Sequence, residues 1–179
     1  MHNKSLQTDN LRGVCIVVSL SLHFTTMQTP HKLRLSEALE RNKDMHTFPI
    51  QKIRFVEAVL SGEKGDMSIE ITLSPFELTI DDYSESVDTS IRLDGIDISS
   101  EPIELEEKIF TFPVNPNPGY IDGSVYFLAA HNPVDVSKIE FGKIENGKMA
   151  IKLQSTWLLE FERTGYRDTE MEIKTEISL

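Results

Sequence analysis

Cysteine is almost absent from this sequence, since Cys15 is the only one among 179 residues. One cysteine cannot form an intramolecular disulfide, so the chain is not a disulfide-stapled secreted scaffold. Long apolar runs are missing too: residues 14–22 form a short one, below the roughly 20 residues that span a bilayer. No small-x-small cleavage pattern follows this run. We therefore predict a cytoplasmic protein without a membrane partner, and keep secretion through residues 1–26 as the alternative.

Basic residues are scarce, with 18 Lys and Arg against 29 Asp and Glu. Residues 1–46 carry six basic and four acidic side chains, a net charge of +2, so the remaining 133 residues carry 12 minus 25, or −13. Such a surface repels phosphate backbones and anionic lipid headgroups, which excludes nucleic acid as an expected partner. A basic protein or a cation fits the charge better.

Helical periodicity is missing after residue 50, where apolar and polar residues alternate instead. Met67, Ile69, Ile71 and Leu73 alternate with polar neighbours, which is typical of a strand with one buried face. Similar segments are residues 50–60, 76–80, 87–93, 104–112, 121–130, 134–144, 149–153, 156–161 and 170–178. About ten short strands predict an all-β fold, a single antiparallel β-sandwich or flattened barrel.

Two turns are predicted from local chemistry. Asn146-Gly147 supplies the positive φ angles of a type I′ hairpin, which should pair residues 137–144 with 149–153. Residues 125–130 are apolar at consecutive positions, which predicts a central strand buried on both faces. Asn132-Pro133 should then end that strand in a turn, because proline donates no ladder hydrogen bond.

Composition divides the chain into two parts. Residues 1–47 form an irregular arm, either a leader or an upstream extension of the reading frame. Its one regular element is a short helix at residues 36–42, with Ser36 as N-cap. Residues 48–179 form the β domain.

Catalytic residues are hard to assemble from this composition. His131 is the best candidate, with Asp135 four residues later to orient its ring across the predicted turn, and with Tyr120 and Asp122 nearby in sequence. Ser124 lacks the Gly-x-Ser-x-Gly elbow of a hydrolase nucleophile. The other four histidines all lie before residue 47, so no zinc set forms and no cofactor is expected.

Carboxylates offer a weak metal site in the segment that runs from residue 81 to residue 88. Its candidate oxygen ligands for a divalent cation are Asp81, Asp82, Glu85 and Asp88. Their spacing does not match a calcium-binding loop, and a solvated acidic connection explains them equally well.

Aromatic residues make up only 8% of the chain. Most of them, Phe161 included, occupy positions that predict core packing. Tyr120 and Tyr166 lie beside glycines in predicted loops and are expected at contact surfaces.

These absences favour a non-enzymatic, acidic protein-interaction module that binds a basic protein. A module that neutralises a basic toxin would be one example. The first alternative is a ligand-binding or hydrolytic β domain that uses the loops around His131 and Tyr120. The second is a β domain that binds a divalent cation. Exposed edge strands also allow a homodimer.

Overall fold

The computed structural model of the chain describes residues 45–179. The predicted helix at residues 36–42, the segment 1–26 and Cys15 lie outside this range. Two three-residue 3₁₀ helices and ten strands form the described part, and the all-β prediction is confirmed. The 3₁₀ helices are Ile50–Lys52 and Pro102–Glu104, and the strands are β1 (Phe55–Glu63), β2 (Asp66–Leu73), β3 (Phe76–Ile80), β4 (Tyr83–Val87), β5 (Ser90–Ile96), β6 (Ile109–Thr111), β7 (Asp122–Phe127), β8 (Ala130–Glu145), β9 (Lys148–Trp157) and β10 (Thr169–Ser178).

Seven strands close into a barrel in the order β8-β7-β5-β2-β1-β10-β9, with β9 pairing back onto β8. β6 adds to β8 as an extra edge strand, and β3 pairs with β4 in a separate hairpin. The prediction of a wholly antiparallel sheet is wrong at one place, since β1 and β10 run parallel with Ala58 opposite Ile177. Strand direction cannot alternate all the way around a ring with an odd number of strands. A seven-stranded barrel therefore needs at least one parallel pair.

The alternation seen in the sequence sets which side chains fill the barrel. Along β2 the residues Met67, Ile69, Ile71 and Leu73 are all buried, and their polar neighbours face outward. Small closed barrels are filled by side chains in this way. Gly123 of β7 allows a close strand approach, since a Cβ there would lie 2.2 Å from the carbonyl oxygen of Val134.

Four predicted strands differ from the observed ones because the chain leaves the strand conformation within them. The segment 87–93 includes the end of β4 at Val87 and the start of β5 at Ser90. The segment 50–60 begins with a 3₁₀ helix after Pro49, and the strand starts at Phe55. The segment 104–112 keeps only the three residues of β6, which follow the proline-led 3₁₀ helix Pro102–Glu104. The segment 156–161 ends as a strand at Trp157, and Phe161 is 73% exposed rather than in the core.

The β7–β8 hairpin corrects another prediction. Its turn is formed by Leu128 and Ala129, both with positive φ, and not by Asn132-Pro133, which lie within β8. Tyr126 is 48% exposed, so residues 125–130 are not buried on both faces. The fully buried Asn132 amide donates hydrogen bonds to the carbonyls of Val125, Phe127 and Ala130. This side chain stabilises the turn from inside the barrel.

The Asn146-Gly147 turn is confirmed. Both residues have positive φ, and Glu145 pairs with Lys148 across the turn. The Asn-Gly pair tolerates this left-handed geometry, which matches the right-handed twist of the flanking strands. The pairing of β8 with β9 that the turn predicts is therefore observed.

The described chain is attached to the barrel from His46 onward. The His46 amide donates to the carbonyl of Gly165, and the Arg167 amide donates to the carbonyl of His46. The division at residues 47 and 48 stays a prediction, but this contact lies just before it. Within residues 45–179 no helix is long and apolar enough to cross a membrane.

Candidate interaction surface

The barrel wall carries very different charge on its two sides. We use the name acidic face for the outward charged side chains of β1, β2, β5 and β7, all of them exposed. Six of these are carboxylates against one guanidinium, that of Arg92, and the carboxylates are Glu57, Glu63, Asp66, Glu70, Asp94 and Asp122. Strands β8, β9 and β10 instead hold five lysines and six acids. The net charge is therefore −5 on the first side and −1 on the second.

On β8, β9 and β10 three of the six carboxylates, those of Glu140, Glu172 and Glu176, are paired with lysines, and two of them belong to an alternating ladder. Lys138 contacts Glu140, Lys152 contacts Glu140 at 3.8 Å and Glu172 at 3.2 Å, and Lys174 contacts Glu172. The hydrogen bond from Lys138 holds the pKa of Glu140 below its usual value, and those from Lys174 and Lys152 do the same for Glu172. The bond to Glu172 raises the pKa of Lys152. This side of the wall therefore carries almost no net charge, and its lysines are interspersed with its carboxylates.

The acidic face has less compensation, since its one cation, Arg92, lies opposite Glu70. Among residues 45–179, no ion pair joins its six carboxylates to a lysine or arginine. Asp94 lies directly opposite Asp122, and Glu63 lies directly opposite Asp66. Like charges directly opposite each other in a sheet are destabilising. These pairs therefore cost stability in the free protein, and a bound cationic surface would relieve that cost.

The four predicted site residues lie along one side of the β7–β8 hairpin but do not converge. His131 is exposed on the outside of β8, where its ring packs against Tyr126 at a centroid distance of 4.9 Å. Asp135 lies four residues further along the same strand, about 13 Å away at 3.3 Å per residue. The predicted turn that should bring Asp135 to His131 is wrong. The two residues do not form a catalytic pair.

Asp122 and Tyr120 occupy different positions. Asp122 begins β7 on the acidic face, and the β7–β8 register extends to place it beside Asp135. Three aspartates from adjacent strands thus form one row, Asp94, Asp122 and Asp135. Tyr120 is half-buried just before β7, and its amide donates to the carbonyl of Asn117.

The four candidate metal ligands are spread over the β3–β4 hairpin and the connection that follows it. Asp81 and Asp82 form its turn, and Asp88 lies in the connection to β5. Glu85 accepts hydrogen bonds from the Tyr83 hydroxyl at 3.0 Å and from the Leu128 amide at 3.2 Å. Within residues 45–179 no group of three or more His, Cys, Asp or Glu is arranged to hold a metal ion.

Tyr83 is the most strongly perturbed titratable group of this hairpin. Burial raises its pKa to about 12, and the hydrogen bond and negative charge of Glu85 add to the shift. Glu85 thus links the hairpin to the β7–β8 turn through its other oxygen. The structure gives this carboxylate a structural role.

Two grooves on the outer wall are lined by β8, β9 and β10. One of about 290 Å³ lies over Gly142 and Ala150, and another of about 500 Å³ lies over Gln154 and Thr156. Neither groove is lined by His131 or Tyr120.

Sequence reasoning missed two residues at the hairpin-covered end of the barrel. Tyr166, expected at a contact surface, is only 2% exposed, and its hydroxyl donates to the Thr79 carbonyl of β3. Burial raises the pKa of Tyr166. Asn132 is buried inside β8, where its Asn-Pro context predicted an exposed turn. Neither position has a local signal that would have revealed it.

Comparison with protein-family models, with curated proteins and with solved structures finds no match to this chain.

Proposed function

We propose that the barrel is a non-enzymatic interaction module whose acidic face binds a basic protein partner. The supporting observation is the one-sided charge: β1, β2, β5 and β7 carry six carboxylates that are in no described ion pair, while three of the six on β8, β9 and β10 are paired with lysines. Complementary charge across an interface speeds association and selects partners. A protein that neutralises a basic toxin is one concrete form of this function.

An exposed aromatic pair borders the acidic face and fits an interface of this kind. Tyr126 and His131 pack against each other across the β7–β8 hairpin, next to the row that contains Ser124 and Arg92. Exposed tyrosines are enriched among residues that dominate binding energy. A cationic side chain of the partner can contact the Tyr126 ring and a nearby carboxylate together.

The test uses two double variants of the full chain that remove the same charge from different sides. D94N/D122N removes two carboxylates from the acidic face, and E145Q/E170Q removes two from β8 and β10 that are in no described ion pair. Each variant, immobilised beside wild type, is exposed to lysate of the source cell at low and at high salt. A basic protein captured by wild type is then purified and titrated.

We expect D94N/D122N to lower the affinity for the purified partner at least tenfold and to reduce its salt dependence, while E145Q/E170Q stays close to wild type. Both variants should fold, because the asparagines remove repulsion between opposite aspartates and the glutamines replace exposed glutamates. Equal binding by both variants would refute the acidic face as the binding surface. Capture of no basic protein at either salt would remove the main support for the function.

Two alternatives keep specific tests. Ligand binding or hydrolysis around His131 and Tyr120 predicts that His131→Ala abolishes activity, whereas a surface role predicts a stability change of at most about 1 kcal/mol. Binding of a divalent cation at Asp81, Asp82, Glu85 and Asp88 predicts a higher melting temperature at millimolar calcium or magnesium. An unchanged melt removes the second alternative.

The remaining expectations rest on composition and surface. A cytoplasmic location follows from the single cysteine, and the acidic face disfavours nucleic acid. Barrel closure leaves few sheet edges in residues 45–179, chiefly the three-residue β6 and the outer sides of the β3–β4 hairpin. A homodimer through edge strands would have to use these short edges.

A further inference from the structure

One end of the barrel is covered by the β3–β4 hairpin and lined by aromatic rings. We define this covered end by Phe48, Phe127, Asn132, Trp157 and Tyr166, each at most 2% exposed. The Phe48 ring lies 5.4 Å from Trp157, 5.6 Å from Phe127 and 5.3 Å from Tyr166, measured between ring centroids. The barrel interior here is an aromatic box with Phe48 at its centre.

Two buried polar atoms in this box have no hydrogen-bond partner. They are the indole Nε1–H of Trp157, a donor, and the Oδ1 of Asn132, an acceptor. The Asn132 orientation is fixed, because its amide nitrogen contacts three backbone carbonyls. Buried polar groups in folded proteins are nearly always paired, so two unpaired atoms at one place require an explanation.

The two atoms are complementary, a donor and an acceptor, and they belong to side chains that are neighbours in the fold. Val134 pairs with Trp157, and Asn132 is the preceding inward residue on β8, so Asn132 and Trp157 are diagonal neighbours. Diagonal neighbours in an antiparallel pair are about 7–8 Å apart, within reach of long side chains. A hydroxyl group accepts one hydrogen bond and donates another. It would therefore satisfy both atoms at once.

The surroundings select a neutral, ring-shaped molecule. The buried residues of the described chain include no charged side chain, and a charged ligand would lose its hydration without a partner. The box already holds a phenyl ring, that of Phe48, which cannot form the missing hydrogen bonds. A phenol has the same ring and adds the required hydroxyl.

The covering β3–β4 hairpin is a separate two-stranded sheet that pairs with none of the described barrel strands, and it packs through the buried side chains of Phe76, Leu78, Ile80 and Val87. Tyr166 donates to the carbonyl of Thr79, Lys52 donates to that of Glu77, and Glu85 accepts from the Leu128 amide. Phe48 lies on the segment that precedes β1, which the backbone of His46 joins to Gly165 and Arg167. From this geometry we infer that the covered end is a binding site for a small neutral aromatic alcohol, whose ring replaces that of Phe48 and whose hydroxyl bridges Trp157 and Asn132.

The chain contains a single tryptophan, so its ¹H–¹⁵N spectrum has one indole signal, that of Trp157. Full-length labelled protein is titrated with phenol and, in parallel, with toluene, which has a similar shape but no hydroxyl. We expect phenol to shift the indole signal saturably and toluene to bind at least tenfold more weakly. F48L shortens the competing side chain and should bind phenol several-fold more tightly.

A second readout is the melting temperature, which phenol should raise in wild type and raise less in W157F, where the indole donor is gone. Three results would overturn the inference. They are an indole signal that does not shift at any phenol concentration, equal shifts with phenol and toluene, or an indole proton that stays bonded to water in the presence of phenol. D94N/D122N should bind phenol like wild type, so this test is independent of the acidic face.

Discussion

The buried Asn132 side chain offers the sharpest stability test, because a single amide stabilises a turn made of two residues that do not favour it. Leu128 and Ala129 both adopt positive φ, a geometry that side chains with a Cβ rarely take without support. The support comes from the two amide hydrogens of Asn132, which contact the carbonyls of Val125, Phe127 and Ala130 at 3.2–3.3 Å. Asn132→Ala removes them.

The expected loss in the free energy of unfolding is the sum of three contributions. Each lost hydrogen to a buried carbonyl costs about 1.5 kcal/mol, or about 3 kcal/mol for two. The space left by the amide adds about 1 kcal/mol. Removing the unpaired Oδ1 returns about 1 kcal/mol, which leaves a loss of about 3 kcal/mol in the free energy of unfolding. At about 4 °C per kcal/mol for a domain of this size, the melting temperature falls by about 12 °C.

Urea unfolding and thermal melting followed by circular dichroism measure this change. The control is Asn117→Ala, which removes a similar bond from an exposed asparagine to the carbonyl of Val114 and should change stability by less than about 0.5 kcal/mol. If Asn132→Ala melts within about 3 °C of wild type, or no lower than Asn117→Ala, the turn does not depend on this amide and the reasoning fails.

Three further predictions concern the surface and pH dependence. Because the raised pKa of Tyr83 means that the folded state holds its proton more tightly, stability should fall as pH rises from about 10 to about 12. Tyr83→Phe should reduce this fall in urea unfolding and remove one late-titrating tyrosine from the absorbance at 295 nm, while Tyr166, whose pKa is also raised, keeps its own share. Because Lys174 and, to a lesser extent, Lys152 lower the pKa of Glu172, Lys152→Met should raise the titration midpoint of Glu172 in carboxyl NMR, and an unmoved midpoint would argue against the ladder. Phe161→Ser should change stability by less than about 0.5 kcal/mol, whereas a core phenylalanine would lose several times more.

Those elements of the fold whose signals are local could be predicted from the sequence. The strand β2 and the Asn146-Gly147 turn follow from side-chain alternation and from backbone preference, which involve only neighbouring residues. The Leu128-Ala129 turn could not be predicted in this way. Its conformation depends on a side chain that reaches back from Asn132, and the Asn-Pro pair suggested a different turn.

The burial of two aromatic residues could not be predicted from local sequence either, because it depends on tertiary packing. Phe161 and Tyr166 lie in one connection between β9 and β10, yet the first is exposed and the second is buried beneath the β3–β4 hairpin. Which of them enters the core depends on how that connection crosses the barrel end. That path is set by contacts with residues about 90 positions earlier in the chain, such as Thr79.

The sequence predicted that the candidate surface is negatively charged, but it did not predict which strands carry that charge. Composition showed a strong negative charge after residue 46. The opposition of Asp94 and Asp122 arises because β5 lies between β2 and β7, an order that no local pattern reveals. The ladder around Lys152 likewise requires β8, β9 and β10 to be neighbours.

The parallel pairing of β1 with β10 also constrains how the protein is made. Ala58 pairs with Ile177, which is 119 residues later in the chain (177 minus 58), so this pairing cannot form until β10 has been synthesised. Contacts between residues so far apart in sequence carry an entropic cost of loop closure and slow folding. During synthesis the earlier hairpins can form as they leave the ribosome, but the ring stays open until β10 has emerged. The exposed margin of β1 is then an unpaired strand beside apolar side chains, a state that is prone to aggregation. Protection of this margin of β1 therefore depends on β10, the last of the described strands to be synthesised.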